Sequence, residues 1–445
     1  MRIALVSYEY PPQNSLGGVG TYMARLAAAL GRSGHDVHVL AAPADSPEVA
    51  LPNVTVHRIP AVFNPRTAPR PLRWLYWHLI AQPLARAHPM IWHWLRWDLA
   101  CHQALKEISR LVPFDVIEAP EHAGNGLAAG YRTRAPLSLR IHCPWETFVR
   151  VNHPPINPMH CLLASLERYS AAACASAITL PSRAMLHEIQ KSWKLPVPPS
   201  VIPNFMDVPA QPAPLPPPDG PQQIVCTGRL EPLKGQDVLV RAFALIARRH
   251  PHCQLWLIGP DRWGKRPFAR LLSHLVPDAS IRCRIHMPGQ LPFGQIALHL
   301  QRAAIFVTPS VGFESFSYST LEAMAAARPI IVARTGALPE LITHEQTGLV
   351  VPPSDHVALS NSLDQLLSNR DAAEAISRSA HAAALARYNT PLVLPQMIRA
   401  YEVAIDRFRR CAAATPIASP TRLAEHSRPG FSFLRSYPIL SRRFP

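Results

Sequence analysis

The chain has 445 residues, 48% of them hydrophobic, which is too long for one ordinary core and suits two or three domains. Lys and Arg outnumber Asp and Glu by 45 to 29. The resulting charge of +16 draws the chain toward anions without choosing among nucleic acid, anionic lipid and phosphorylated substrates. The N-terminal run Met1-Arg2-Ile3-Ala4-Leu5-Val6-Ser7-Tyr8 lacks the apolar length and cleavage site of a signal peptide. It reads instead as a buried strand over residues 3–7. A Gly-rich turn follows, Gly17-Gly18-Val19-Gly20, then a helical face of Tyr22, Met23, Leu26, Ala27 and Leu30 closed by Gly34, then a strand over 37–41. That is a βαβ unit, and it implies a parallel sheet covered by helices. Further strands are expected over 115–118, 137–142 and 177–181.

Residues 196–221 are Pro-dense, and Pro neither donates to a ladder nor sits inside a helix. The domain boundary is placed there. A second alternating half follows, with strands expected over 224–227, 254–258, 281–287, 305–308 and 330–333 and helices over 236–248 and 320–327. The assignment is a first domain over 1–200, a linker over 201–221 and a second domain over 222–388. A helix over 389–410 returns to the first domain, and a basic, mobile tail covers 411–445. No uninterrupted apolar stretch reaches the length of a bilayer span, so membrane contact is expected to be peripheral. The eight Cys are widely scattered with no CxxC pair, so reduced thiols in a cytosolic protein are expected.

The chemistry-bearing residues cluster in the second half. A strand ends at Thr227-Gly228, and Arg229 and Lys234 sit in the turn before the next helix. Free N–H groups and the positive dipole end at such a turn, joined by two cations, suit a diphosphate. Glu314 and Glu322 flank another loop-to-helix step, with Glu322 expected in the helix's first turn. A carboxylate there can accept hydrogen bonds from vicinal hydroxyls of a ribose or hexose, while the N–H groups of Phe316, Ser317, Tyr318 and Ser319 face the same anion. No Asp-x-Asp metal motif is present, and no cofactor is expected.

These pieces together resemble the retaining glycosyltransferases of GT-B fold, family 4 of the sequence-based classification. The resemblance rests on Gly17-Gly18-Val19-Gly20, Gly34-His35-Asp36-Val37, Val201-Ile202-Pro203-Asn204, and Gly228-Arg229-Leu230 with Lys234-Gly235. It continues through the Glu314 to Glu322 spacing with Glu322-Ala323-Met324-Ala325, and Gly336-Ala337-Leu338-Pro339-Glu340 followed by Gly348-Leu349-Val350. It implies an α/β architecture of two Rossmann-like doubly wound domains facing each other across a cleft. It implies that Arg229 and Lys234 bind the donor diphosphate, Glu322 the nucleotide ribose and Glu314 the donor sugar, and that His142 is the donor-sugar histidine. Gly17, Gly18, Gly228 and Gly289 complete the donor side, and Gly20, Glu121 and His122 are acceptor-side candidates. Two departures stand out: Ser317 and Ala327 occupy positions where relatives carry Gly.

The expected reaction moves a hexose from a nucleoside-diphosphate sugar to a glycan or lipid-linked acceptor, with retention, in envelope or extracellular polysaccharide synthesis. Residues 49–97 hold no Asp or Glu, six Arg, and Trp74, Trp77, Trp92, Trp94 and Trp97. Such a segment suits either an anionic membrane surface, on the inner face, or the wall of an acceptor cleft. Three rivals are a nucleic-acid-binding protein, a catalytically silent scaffold that binds glycan or nucleotide, and a dinucleotide oxidoreductase. The first lacks a recognition signature, so no nucleic acid is expected as a partner. The second sits poorly with four intact donor-site side chains, and the third lacks the GxGxxG spacing.

Overall fold

The computed structural model describes residues 1–12, 17–44, 47, 49–60, 89–130, 133–153, 158–264 and 267–414. Trp74, Trp77 and most of the 411–445 tail lie outside the described residues. The first half runs β1 (Arg2–Val6), α1 (Gly18–Arg32), β2 (Asp36–Ala41), β3 (Val54–Arg58), α2 (Pro89–Leu111), β4 (Val116–Pro120), α3 (Asn125–Gly130), β5 (Leu137–Arg140), α4 (Trp145–Asn152), α5 (Pro158–Cys174), β6 (Ala175–Leu180), α6 (Arg183–Gln190) and β7 (Ser200–Val201). The second runs β8 (Gln222–Thr227), α7 (Gln236–Ile246), β9 (Cys253–Ile258), α8 (Phe268–Leu275), α9 (Ala279–Arg282), β10 (Ile285–Gly289), α10 (Phe293–Arg302), β11 (Ala303–Thr308), α11 (Tyr318–Ala325), β12 (Ile330–Ala333), α12 (Leu338–Leu341), β13 (Leu349–Val351), α13 (His356–Ser368) and α14 (Arg370–Tyr388). Helix α15 (Thr390–Ala414) ends the described chain.

The strands form two sheets, ordered β3-β2-β1-β4-β5-β6-β7 and β10-β9-β8-β11-β12-β13. Every pairing is parallel. Burial on both faces explains the continuous apolar strands. In β1, Ile3 and Leu5 pack toward α1 and α15, while Ala4 and Val6 pack toward Trp97, Leu105 and Ile178. In the second sheet Ile224 and Cys226 face Leu239 and Phe243 of α7, and Val225 faces Leu321 and Met324 of α11. Each strand order reverses once, between β1 and β4 and between β8 and β11. At such a reversal successive helices leave on opposite faces, and a crevice opens at the carboxyl ends of the strands.

The chain crosses between the halves twice, and the two crossings are hydrogen-bonded side by side. Met206 N donates to Tyr388 O at 3.1 Å, and Thr390 N donates to Met206 O at 3.0 Å. Helix α15 then packs on the first sheet, with Val393, Met397 and Tyr401 in the same core as Ile3 and Leu5. The Pro-rich stretch is strapped down by arginines, because Pro lacks an N–H but keeps its carbonyl acceptor. Arg328 donates to Ala213 O and Pro214 O at 2.7 and 2.8 Å, and Arg370 to Pro216 O at 2.9 Å.

Three details differ from the sequence reading. Residues 281–287 are not one strand. Asp278 accepts from Ser280 N at 3.0 Å and starts the short helix α9, so β10 begins only at Ile285. Helix α11 starts at Tyr318, with Ser317 Oγ accepting from Thr320 N, so Glu322 lies in the second turn rather than the first. Strands β3, β7 and β13 were not expected. The last two, at two and three residues, are too short to show a period.

Candidate active site

The donor-side residues are positioned by two close backbone approaches. After β8 the chain passes Gly228 and Arg229, makes a 3-10 turn over Pro232–Lys234, and reaches Gly235 with φ +67°. A Cβ on Gly235 would lie 2.1 Å from Pro309 O, so only glycine lets this turn press against the end of β11. Gly336 does the same to Glu314, where a Cβ would lie 2.1 Å from the Glu314 carbonyl oxygen. The result is that Lys234 Nζ sits 2.7 Å from Glu314 Oε1, and Ser310 Oγ donates to the same oxygen at 2.5 Å. Glu314 is 8% exposed, so its charge is matched inside the protein. Ser310 is a site neighbour the sequence reading missed.

Other donor-side candidates divide. Arg229 does not join that pair; it bonds Glu231 at 3.1 Å and stays more than half exposed at the cleft mouth. Phe316 turns its ring into the core against Tyr388 and Tyr318, leaving only its backbone for a ligand. Ser317 caps α11, which gives the departure from Gly a physical reason. Gly228 and Gly289 lie at the carboxyl ends of β8 and β10 with open space beside them. Glu322 is held by Arg25 of α1, with Nη2 2.6 Å from Oε1 and the guanidinium carbon 4.5 Å from the Tyr318 ring centroid.

The first sheet presents a different surface. His142 follows β5 and is 8% exposed, with its ring edge-on to Tyr22 at 5.1 Å. Burial, then Arg140 and His122, hold its imidazole well below the ordinary value, so it is neutral. Its Nε2 is buried without a hydrogen-bond partner among the described residues. Glu121, 1% exposed, accepts from His142 N at 2.9 Å and Cys143 N at 2.7 Å, which fixes the β5 end. Burial pushes the Glu121 carboxyl up to about 7 against those bonds. Burial raises the Cys143 thiol, then Glu121, Glu167 and Glu314, with Lys234 opposing. Cys143 and Phe313, the residue before Glu314, pack against the same core cluster, which brings the β5 end near the donor loop.

On the acceptor side, His122 keeps an exposed edge although protein surrounds it, and lies edge-on to Trp94 at 5.2 Å. Desolvation lowers its imidazole, with Glu9 opposing. Gly17 N donates to Glu9 Oε2 at 2.9 Å, so a carboxylate already occupies the start of α1. Gly18 faces open space, and Gly20 is buried. Trp92, Trp94 and Trp97 all lie on α2. Trp97 is fully buried, Trp92 nearly so, and Trp94 packs beside Leu163 and Trp145. Trp94 is the one of the three that stays partly exposed.

Several contacts seal the first half onto the donor loop. Phe313 N donates to Asn152 Oδ1 at 2.9 Å, and Ser182 Oγ donates to Ser315 O at 2.8 Å. Glu340 accepts from Arg183 N and Ala184 N at 2.9 and 2.6 Å, capping α6 from the other half. No helix among the described residues is long and apolar enough to cross a membrane. No cluster of three or more His, Cys, Asp or Glu among them could hold a metal.

Comparison with known proteins agrees with this arrangement. The family described as glycosyl transferases group 1 matches residues 207–382, and the glycosyl transferase 4-like domain matches residues 17–204. An uncharacterized glycosyltransferase of Methanocaldococcus jannaschii is 24% identical over 92% of this chain and all of its own. Glycogen synthase of Mycobacterium tuberculosis is 28% identical over 85% of this chain and 89% of its own. Among solved structures, sucrose-phosphate synthase of Thermosynechococcus elongatus superposes with a TM-score of 0.69 at 22% identity, covering 93% of this chain and all of that one. Anabaena HepE in complex with UDP and glucose superposes at 0.64 with 18% identity, covering 90% and 98%. With both halves matched, and in this order, the chain belongs to the group 1 glycosyltransferases of GT-B fold.

Proposed function

We propose that the enzyme is a retaining hexosyltransferase that moves a hexose from a nucleoside-diphosphate sugar to a glycan or lipid-linked acceptor in envelope or extracellular polysaccharide synthesis. The observation that carries this reading is the Lys234–Glu314 pair, a partly exposed cation on a buried carboxylate, held where the turn after β8 meets the loop after β11. When the bond from the anomeric carbon to the donor phosphate breaks, negative charge grows on the diphosphate. Lys234, Arg229 and the starts of α7 and α11 face that charge, and preorganised cations and N–H groups stabilise it without reorganisation. Glu314 and His142 hold sugar hydroxyls. The acceptor oxygen attacks on the face the diphosphate leaves, and a donor phosphate oxygen takes the acceptor's proton. Likeness to HepE, solved with UDP-glucose, supports a nucleotide-sugar donor. So does the 31% identity, over 34% of this chain and 40% of the relative, to a GDP-mannose-dependent mannosyltransferase of Mycobacterium tuberculosis.

The acceptor lies against Gly18, His122 and Trp94, with Glu121 buried behind them. Trp94, partly exposed and 5.2 Å from the His122 ring, is the residue of this segment that supports a cleft wall. The test is a thermal-shift screen against UDP-, GDP- and ADP-sugars, followed by NMR of the product's anomeric configuration. One donor class raises the melting temperature and the product keeps the donor's configuration. No shift with any donor sinks the donor reading, and an inverted product sinks retention.

A further inference from the structure

Arg25 and Glu322 come from opposite halves and are 297 positions apart. Their side chains are only 16% and 13% exposed. While Arg25 stands there, Glu322 offers too little open surface to seat a vicinal diol. The grip is single-pronged: Nη2 meets Oε1 at 2.6 Å, whereas Nη1 is buried with no hydrogen-bond partner among the described residues. A guanidinium holding a carboxylate through one nitrogen lacks the two parallel bonds of the strong bidentate fork. A buried donor left unmatched weakens the closed arrangement further. The rings of Tyr318 and Phe293 lie 4.5 and 6.0 Å from the guanidinium carbon in this same pose, so Arg25 keeps aromatic contact without depending on Glu322 alone. Other seam contacts, Asn152 with Phe313, Ser182 with Ser315 and Glu340 with the start of α6, do not involve Glu322. They can stay shut while Arg25 lets go.

We propose that Arg25 competes with the donor's ribose for Glu322, so that it sets donor affinity by holding this carboxylate in the empty enzyme and yielding it to an incoming nucleoside diphosphate. The proposal rests on the reading of Glu322 as the ribose carboxylate. Apparent affinity then falls by the fraction of molecules in which Glu322 is occupied by Arg25.

The test is calorimetric titration of the full chain and of Arg25→Met and Arg25→Lys with UDP and 2′,3′-dideoxy-UDP, the GDP and ADP pairs being run in parallel. Wild type prefers the ribonucleotide. Arg25→Met binds the ribonucleotide about ten-fold more tightly and the dideoxynucleotide unchanged. Arg25→Lys, which keeps the charge but not the planar group, falls between. Unchanged or weaker ribonucleotide binding by Arg25→Met overturns the competition, as does equal tightening of both nucleotides. If wild type itself binds ribo- and dideoxynucleotides equally, the ribose reading of Glu322 is what fails.

Discussion

The second sheet meets the cleft with cations and helix starts, whereas the first meets it with a buried carboxyl, neutral imidazoles and, from α1, Arg25. Lys234 and Arg229 rise at the end of β8, and α7 and α11 point their starts the same way. The first half brings Glu9, Glu121, His122 and His142, and behind them Glu118 sits in the core between β4, α1 and α15. Glu118 is held by Tyr22 OH at 2.8 Å and Tyr401 OH at 2.7 Å. The sheets share one parallel architecture, so the fold does not choose these chemistries; the side chains at the carboxyl edges do. One edge suits a leaving diphosphate. The other presents neutral imidazoles in front of a carboxyl raised by burial.

Breaking the cationic edge is the largest perturbation. Lys234→Ala removes a cation from the leaving group and strands Glu314, and turnover measured with the matched donor falls about a thousand-fold. Unchanged turnover ends the assignment. In the core of the first half, Glu118→Ala leaves the buried Tyr401 hydroxyl unpaired and Tyr22 with only the weak acceptor Met397 Sδ at 3.8 Å, and it opens a cavity between β4, α1 and α15. It lowers stability by about 3 kcal/mol, read as a lower denaturant midpoint. A midpoint at the wild-type value shows the triad to be dispensable.

A third comparison uses pH. The folded Glu121 carboxyl titrates near 7 and the unfolded one near 4.5, so between these values the folded state binds more protons. Its contribution to stability is therefore present below about 4.5 and is lost as pH rises through 7, by at most about 3 kcal/mol. Unfolding midpoints from pH 5 to 8 decline less steeply for Glu121→Gln than for wild type. Equal slopes remove Glu121 as the cause. The smallest effect lies in the second half. Ala327 is buried with φ +53°, a conformation that disfavours a Cβ. Ala327→Gly raises stability by up to about 1 kcal/mol, and a lower melting temperature contradicts that account.

The sequence by itself determined the alternation of strands and helices, because period and turn residues are local. The resemblance of its motifs, rather than any one turn, joined Lys234 and Glu314 in one expected site. Only the tertiary structure turned Phe316 inward, left Arg229 at the mouth, filled the start of α1 with Glu9 and joined Arg25 to Glu322. Which partner a charged side chain finds across nearly three hundred residues depends on how two separate cores dock. No local pattern encodes that. The same docking sets Tyr401 of α15 against Glu118 of β4, and so makes one core of segments from opposite ends of the chain.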